Sequence, residues 1–242
     1  MNKLFDGARP DVDKMPPPEP EQAFYAIGDV HGRIDLLEEL LARLDPDVPK
    51  MLVGDYVDRG ENSADVLRYL LERPDLLCLL GNHEEMMIRF LDAPEDGGGR
   101  WLNYGGLQTL ASFGVMGVSQ TMSAEGLRRV RDDLLEAMGP VLTAWLRGLP
   151  HFVLTGNVAV VHAGADPRTP IEEQNLRSLL WGHRAFARQP RRDGTWVVHG
   201  HTIVDHPEAT QGRIAIDTGA YATGRLSAVR LGGGEIEFVT TG

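Results

Sequence analysis

The sequence predicts an α/β fold in which mixed β-sheets pack together under a cover of helices. Three observations carry this. From residue 23 to residue 91, short apolar β-prone runs alternate with segments of helical periodicity. From residue 151 onward the chain is β-rich again, opening on two runs joined by Gly156-Asn157, a hairpin signal. Between them, residues 92–150 carry helical patterns and no β-prone run, which reads as a helical insertion beside the sheet.

Residues 1–20 hold Pro16-Pro17-Pro18 and mixed charges without an apolar core, and read as a loose, flexible tail. Residues 21–242 then form one domain. Its first strand, residues 23–27, runs into Gly28-Asp29-Val30-His31-Gly32 and a helix with Ile34, Leu37, Leu41 and Leu44 on one face. A second strand, residues 50–53, runs into Gly54-Asp55-Tyr56-Val57-Asp58-Arg59-Gly60. Ser63 is expected as the cap of the helix that follows, with Val66, Leu67, Leu70 and Leu71 as its apolar face. A third strand, residues 76–80, runs into Gly81-Asn82-His83-Glu84 and a helix from about Glu84 bearing Met86, Met87, Phe90 and Leu91.

Within the insertion, Asp96-Gly97-Gly98-Gly99 is expected to be a flexible hinge, and Tyr104-Gly105-Gly106 a second break. Trp101 and Trp145 are assigned to packing rather than to base stacking. The last third offers a strand ending in His162-Ala163-Gly164, a helix over residues 171–180, and a strand ending in His199-Gly200-His201. A further strand ends in Asp217-Thr218-Gly219, and a closing hairpin turns through Gly232-Gly233-Gly234.

Bulk properties narrow the function. The 242 residues carry a formal net charge of −11, from 35 acidic and 24 basic side chains. That sign argues against nucleic acid or an anionic membrane as partner, since both need a basic face. It leaves room for a phosphorylated substrate, because bound cations can invert the charge inside a site. The lone cysteine, Cys78, excludes an internal disulfide and reads as a core thiol. No apolar run approaches the roughly 20 residues that span a bilayer. With no targeting segment in evidence, the expected location is the cytoplasm, and the oligomeric state stays open.

The chemistry lies at the strand ends. One Asp-x-His after a strand is ordinarily a turn with solvated charges. Here five strand ends deliver Asp29 and His31, then Asp55, then Asn82 and His83, then His162, then His201. An Asp/Asn/His set without cysteine suits manganese, iron or zinc in a hydrolytic role. Setting His83 aside, the six remaining ligand-type side chains exceed the needs of one catalytic ion and fit two divalent ions sharing a carboxylate.

The first three motifs resemble the signature motifs of the phosphoprotein phosphatase family of metallophosphoesterases, in the bacterial serine/threonine type. His162, His201 and the Asp217-Thr218-Gly219 stretch are similar to that family's later elements. The resemblance implies an αββα sandwich, two packed mixed sheets flanked by helices. It implies two divalent metal ions, manganese before iron or zinc. Asp29 and His31 would hold one ion, Asp55 would bridge, and Asn82, His162 and His201 would hold the other. In such a site a metal-activated hydroxide attacks phosphorus directly. His83 would act as general acid, oriented by Asp58, and Arg59 would grip the phosphoryl oxygens.

One departure stands out. Bacterial members place an arginine shortly after the tryptophan that ends the late helix. Here Trp181 precedes Gly182, His183 and Arg184, so either His183 or Arg184 takes that place, with Arg184 preferred. His199 is read as a supporting donor or buried partner, and Glu84 as a support for its loop rather than a ligand. The expected activity is hydrolysis of phosphoserine and phosphothreonine in proteins, or of a small phosphate ester. The alternative is a diadenosine polyphosphate hydrolase of the same fold. A catalytically dead binding module is a third reading, opposed by the complete ligand set.

Overall fold

Alternation along β1 (Phe24–Ile27) sets the layers of this structure, a computed structural model describing residues 15–242. Phe24 and Ala26 face one core, and Tyr25 and Ile27 face another on the opposite side. A strand buried on both faces belongs to a sheet covered on both sides.

The chain continues through α1 (Ile34–Arg43), β2 (Lys50–Leu52), α2 (Ser63–Leu71), β3 (Leu76–Cys78) and α3 (Asn82–Asp92). Next come α4 (Pro94–Trp101), a π-helical turn (Leu102–Gly106), α5 (Leu107–Ser112) and α6 (Ala124–Arg147), which kinks at Gly139 and Pro140. Then follow β4 (Phe152–Thr155), β5 (Val158–Val161), α7 (Leu176–Trp181) and β6 (Trp196–His199). The chain closes with β7 (Glu208–Thr210), β8 (Arg213–Ala215), α8 (Ala220–Thr223), β9 (Ser227–Leu231) and β10 (Glu237–Thr240).

One sheet runs β10-β9-β1-β2-β3 and the other β4-β5-β6-β8-β7. In the first, β1, β2 and β3 are parallel and β9 is antiparallel to β1. In the second, β5, β6 and β8 are parallel, with β4 and β7 antiparallel at the edges. Phe24, Ala26, Met51 and Val53 meet Val158, Val160, Val198 and Ile214 between the sheets. Each of these apart from Ala26 contributes about 1.5–3 kcal/mol through burial. The outer face of the first sheet is covered by α1, α2, α3 and the helices of the insertion, and that of the second by Ile171, Leu179 and Phe186. The αββα sandwich is the observed architecture. No helix of the described residues is long and apolar enough to cross a membrane.

The structure departs from the sequence reading in several places. Residues 96–99, expected as a hinge, lie inside α4. Gly98 is buried there, and a Cβ on it would press on the Phe90 ring at 3.0 Å, so tertiary packing overrides weak helix propensity. The helix expected over 171–180 is a 3₁₀ turn (Ile171–Glu173) followed by α7, because Asn175 caps a fresh start by accepting from the Ser178 N–H at 2.9 Å. The strand expected to reach Leu80 ends at Cys78, and α3 begins at Asn82 rather than Glu84. Asn62 takes the cap position of α2 expected of Ser63, and Ser63 opens the helix. Of the expected tail, residues 1–14 lie outside the described residues. Residues 15–20 run against the second sheet, where Trp196 Nε1 donates to Pro16 O at 2.7 Å and Asn157 Nδ2 to Pro17 O at 2.9 Å.

Candidate metal centre

Parallel strands of both sheets end at one edge, and the motif loops leave from those ends. The first two loops are laced together, since the His31 N–H donates to Asp55 O at 2.8 Å and Gly32 N–H to Tyr56 O at 2.8 Å. Glu84 then fixes the second loop to the third. One carboxylate oxygen accepts from the N–H groups of Tyr56 (2.7 Å) and Val57 (3.1 Å), the other from those of Asp55 (2.8 Å) and Gly81 (3.0 Å). Its role as loop support is thus visible in its contacts.

The backbone at these loops is bent into the left-handed region. Six described non-glycine residues have positive φ, and five are His31, Asp55, Asp58, Arg59 and His201. Such conformations cost of order 1–3 kcal/mol each and persist where surrounding structure imposes them. Gly81 shows how closely the loops approach. A Cβ there would collide with Asp55 Oδ1 and lie 2.6 Å from Glu84 Oε2.

Two groups of potential ligand atoms share Asp55. His31, Asp55 and His83 form one, and Asp55, His162 and His201 the other. In the first, His31 gives its Nδ1 proton to Val57 O at 2.8 Å, so Nε2 turns a lone pair toward Asp55 Oδ2, 3.6 Å away. In the second, His162 spends its proton on Val53 O at 3.1 Å. Its Nε2 lone pair lies 2.8 Å from Asn82 Oδ1 and 3.3 Å from Asp55 Oδ1. His201 Nδ1 lies 2.8 Å from that same Asn82 oxygen. Asp29 is buried beside them. Its Oδ2 accepts from the His201 N–H at 3.0 Å, while Oδ1 has no hydrogen-bond partner at all.

Lone pairs converging in a buried site, with an orphaned carboxylate oxygen among them, call for cations. The residues present therefore fit divalent metal. The electrostatics agree, since burial lowers His31 to about 3 and His162 to about 4, keeping both neutral, the form a metal ion would need. Burial and the nearby Asp217 and Asp55 carboxylates push Asp29 well above the usual carboxylate value. A positive ion in the site would relieve that strain on the charged form.

His83 behaves differently. Burial alone would lower it, yet the Asp55 charge and the Asp58 hydrogen bond hold it above the usual histidine value. Its Nδ1 donates to Asp58 Oδ2 at 2.6 Å, and its Nε2 lies 3.9 Å from Asp55 Oδ2. Asp58 is fully buried and held by residues the sequence reading did not connect to it. Trp101 Nε1 donates to both carboxylate oxygens, and Thr109 Oγ1 to Oδ1 at 2.6 Å. The one signal in the sequence was general: a buried indole N–H needs an acceptor. Arg59 Nη1 lies 3.2 Å from His31 Nε2, and its guanidinium sits over the Tyr221 ring, 4.8 Å from the centroid. Tyr221 was not singled out either.

Arg184 is not drawn into this cluster. It is exposed and lines a separate cavity of about 400 Å³ with Asp166, Arg168, His183 and Arg188. His183 Nδ1 lies 3.9 Å from Asp166 Oδ1. His199 is buried edge-to-face against Phe186, as a packing partner, and burial lowers it to about 4. Cys78 is buried, and burial pushes its thiol up to about 12.

Comparison with known proteins agrees with this geometry. The sequence profile of the Calcineurin-like phosphoesterase family matches residues 23–205. Serine/threonine-protein phosphatase 2 of Salmonella typhimurium is 30% identical over 222 residues, covering 86% of this chain and 92% of its own length. The asymmetrical bis(5'-nucleosyl)-tetraphosphatase PrpE of Oceanobacillus iheyensis is 28% identical over 245 residues, covering 88% and 90%. The crystal structure of a metallophosphoesterase from Sphaerobacter thermophilus superposes with a TM-score of 0.57 at 18% identity, covering 91% of this chain and 89% of that one.

Proposed function

Because the chain belongs to the Calcineurin-like phosphoesterase family, we propose that it is a metal-dependent phosphomonoesterase acting on phosphoserine and phosphothreonine in proteins. The observation that carries this reading is the buried dyad of His83 and Asp58, with His83 itself reaching into one of the two groups of potential ligand atoms that share Asp55. Similarity to the Salmonella typhimurium phosphatase over most of both chains supports the substrate class.

Asp29, His31 and Asp55 would hold one ion and Asp55, Asn82, His162 and His201 the other, with manganese as the preferred metal. When bound, such ions would supply Lewis acidity toward the phosphoryl oxygens and lower the pKa of an attacking water. The chain's own residues do the rest. His83 holds a proton on Nε2 while Asp58 fixes its ring through Nδ1, and that proton is delivered to the departing seryl or threonyl oxygen. Arg59 presents a planar fork of N–H donors to the phosphoryl group, and the Tyr221 ring beneath limits its rotamers. Glu84 holds the Asp55 loop in register throughout. The second phosphate grip expected of Arg184 has no contact in support of it.

Hydrolysis of dinucleoside polyphosphates is the second reading, favoured by the PrpE relative. Manganese-loaded protein offered a phosphothreonine peptide or diadenosine tetraphosphate separates the two. Release of phosphate from the peptide is the expected result, and turnover of the dinucleotide alone overturns it.

A further inference from the structure

A groove of about 450 Å³ runs beside the metal centre, lined by Glu85, Arg89, Arg100, Arg177, Leu180 and Trp181. Trp181, the last residue of α7, rests edge-to-face on the His201 ring, with centroids 6.4 Å apart. Groove and metal centre therefore share a wall. The insertion contributes to the same groove, because Arg100 lies in α4. Its guanidinium sits 5.0 Å from the Trp181 ring centroid and 5.5 Å from that of Tyr104. A guanidinium stacked by its face keeps its in-plane N–H donors free.

Charge in the groove is out of character with the chain. Three arginines face one glutamate there, in a protein of net charge −11. Arg89 is neutralised by Glu85 at 3.5 Å. Among the described residues Arg100 and Arg177 have no ion pair, and both are exposed. Two free cations within one groove, next to a phosphoester-hydrolysing centre, form a local positive field that gathers anions. The aromatic face that could stack a nucleobase is already covered by Arg100, so the groove reads charge rather than a base.

We infer that this groove is a second anion subsite that binds acidic side chains flanking the phosphorylated residue of a protein substrate. The proposal rests on the phosphoprotein reading above and adds its sequence preference. Arg100 and Arg177 are specificity residues in it, and Trp181 positions Arg100.

Two phosphothreonine peptides test it, one flanked by Asp and Glu and the other by Asn and Gln, with p-nitrophenyl phosphate alongside. For the manganese-loaded protein, kcat/KM for the acidic peptide is expected to exceed that for the neutral one roughly fivefold, carried mainly by KM, as two exposed ion pairs allow. Raising the salt to 0.5 M should erode the preference. In the Arg100→Gln, Arg177→Gln double variant the ratio should fall to near one. The Arg100→Glu, Arg177→Glu variant should invert it in favour of the neutral peptide. An equal rate on both peptides with the unaltered protein, or a ratio untouched by either variant, overturns the subsite while leaving the phosphatase reading in place. Turnover of p-nitrophenyl phosphate with neither peptide hydrolysed overturns the phosphoprotein reading, and the subsite with it.

Discussion

Trp101 donates its indole N–H to both carboxylate oxygens of Asp58, at 3.1 and 3.0 Å, from a helix 43 residues further along the chain. The insertion is thereby tied to the His83–Asp58 dyad, the proton-handling pair of the proposed mechanism. Replacing Trp101 with Phe keeps most of the buried area and removes one donor. Turnover is expected to fall about tenfold, in line with a lost hydrogen bond to a charged group. The deficit should be larger for phenyl phosphate than for p-nitrophenyl phosphate, whose leaving group needs no proton. Steady-state rates on the pair of esters check this, and equal losses on both would assign Trp101 to packing alone.

His83→Asn is expected to cost roughly 10²–10⁴-fold in turnover of poor leaving groups. Metal content, read by elemental analysis of the purified variant, should stay at the level of the unaltered protein. An active variant would remove His83 from the proton transfer.

Stripping metal with a chelator should abolish activity, and adding manganese back should restore it at two ions per chain. Because Asp29 Oδ1 has no partner of its own, loading should also raise the melting temperature. Ligand at a hundredfold its dissociation constant stabilises by about 2.7 kcal/mol. Asp29→Asn should weaken that metal-dependent shift in a thermal melt, and a shift identical to that of the unaltered chain would count against Asp29 as a ligand.

Glu84→Gln replaces an oxygen that accepts two backbone N–H groups with an NH₂ that faces them. A loss of roughly 1–3 kcal/mol is expected for each of the two donors left unsatisfied, measured by urea unfolding of metal-free protein. Activity should fall as well, since the Asp55 loop loses its brace.

Cys78 supplies a check on the core. With its thiol pushed up to about 12 by burial, almost no thiolate exists at pH 8. Ellman's reagent should therefore leave the native protein unmodified and titrate one thiol after unfolding. Rapid reaction of the native protein would mean the strand bearing Cys78 is not buried as described.

Much of the site was legible because each motif is contiguous. Asp29 and His31, Asp55 with Asp58 and Arg59, and Asn82 with His83 each sit on one short loop after one strand, so order and spacing reveal them. Trp101, Thr109 and Tyr221 were not legible in the same way. Their contacts with Asp58 and Arg59 close over long stretches of chain, and no local pattern marks a side chain that serves a partner so far away. Helix ends failed for a related reason. The glycine run at residues 97–99 has poor helix propensity, yet it lies in α4, where Gly98 packs close beneath Phe90. Short β7 escaped notice because all three of its residues are exposed and polar or small.

The left-handed bends at His31, Asp55, Asp58, Arg59 and His201 are held in place by the side chains they carry. Glycine adopts those torsions without steric penalty, yet at Asp58 it would strand the buried Trp101 and Thr109 donors, and at His31, Asp55 and His201 it would forfeit the stability that metal loading supplies. Laboratory evolution of this scaffold should accordingly leave those five positions untouched, for heat tolerance as much as for turnover.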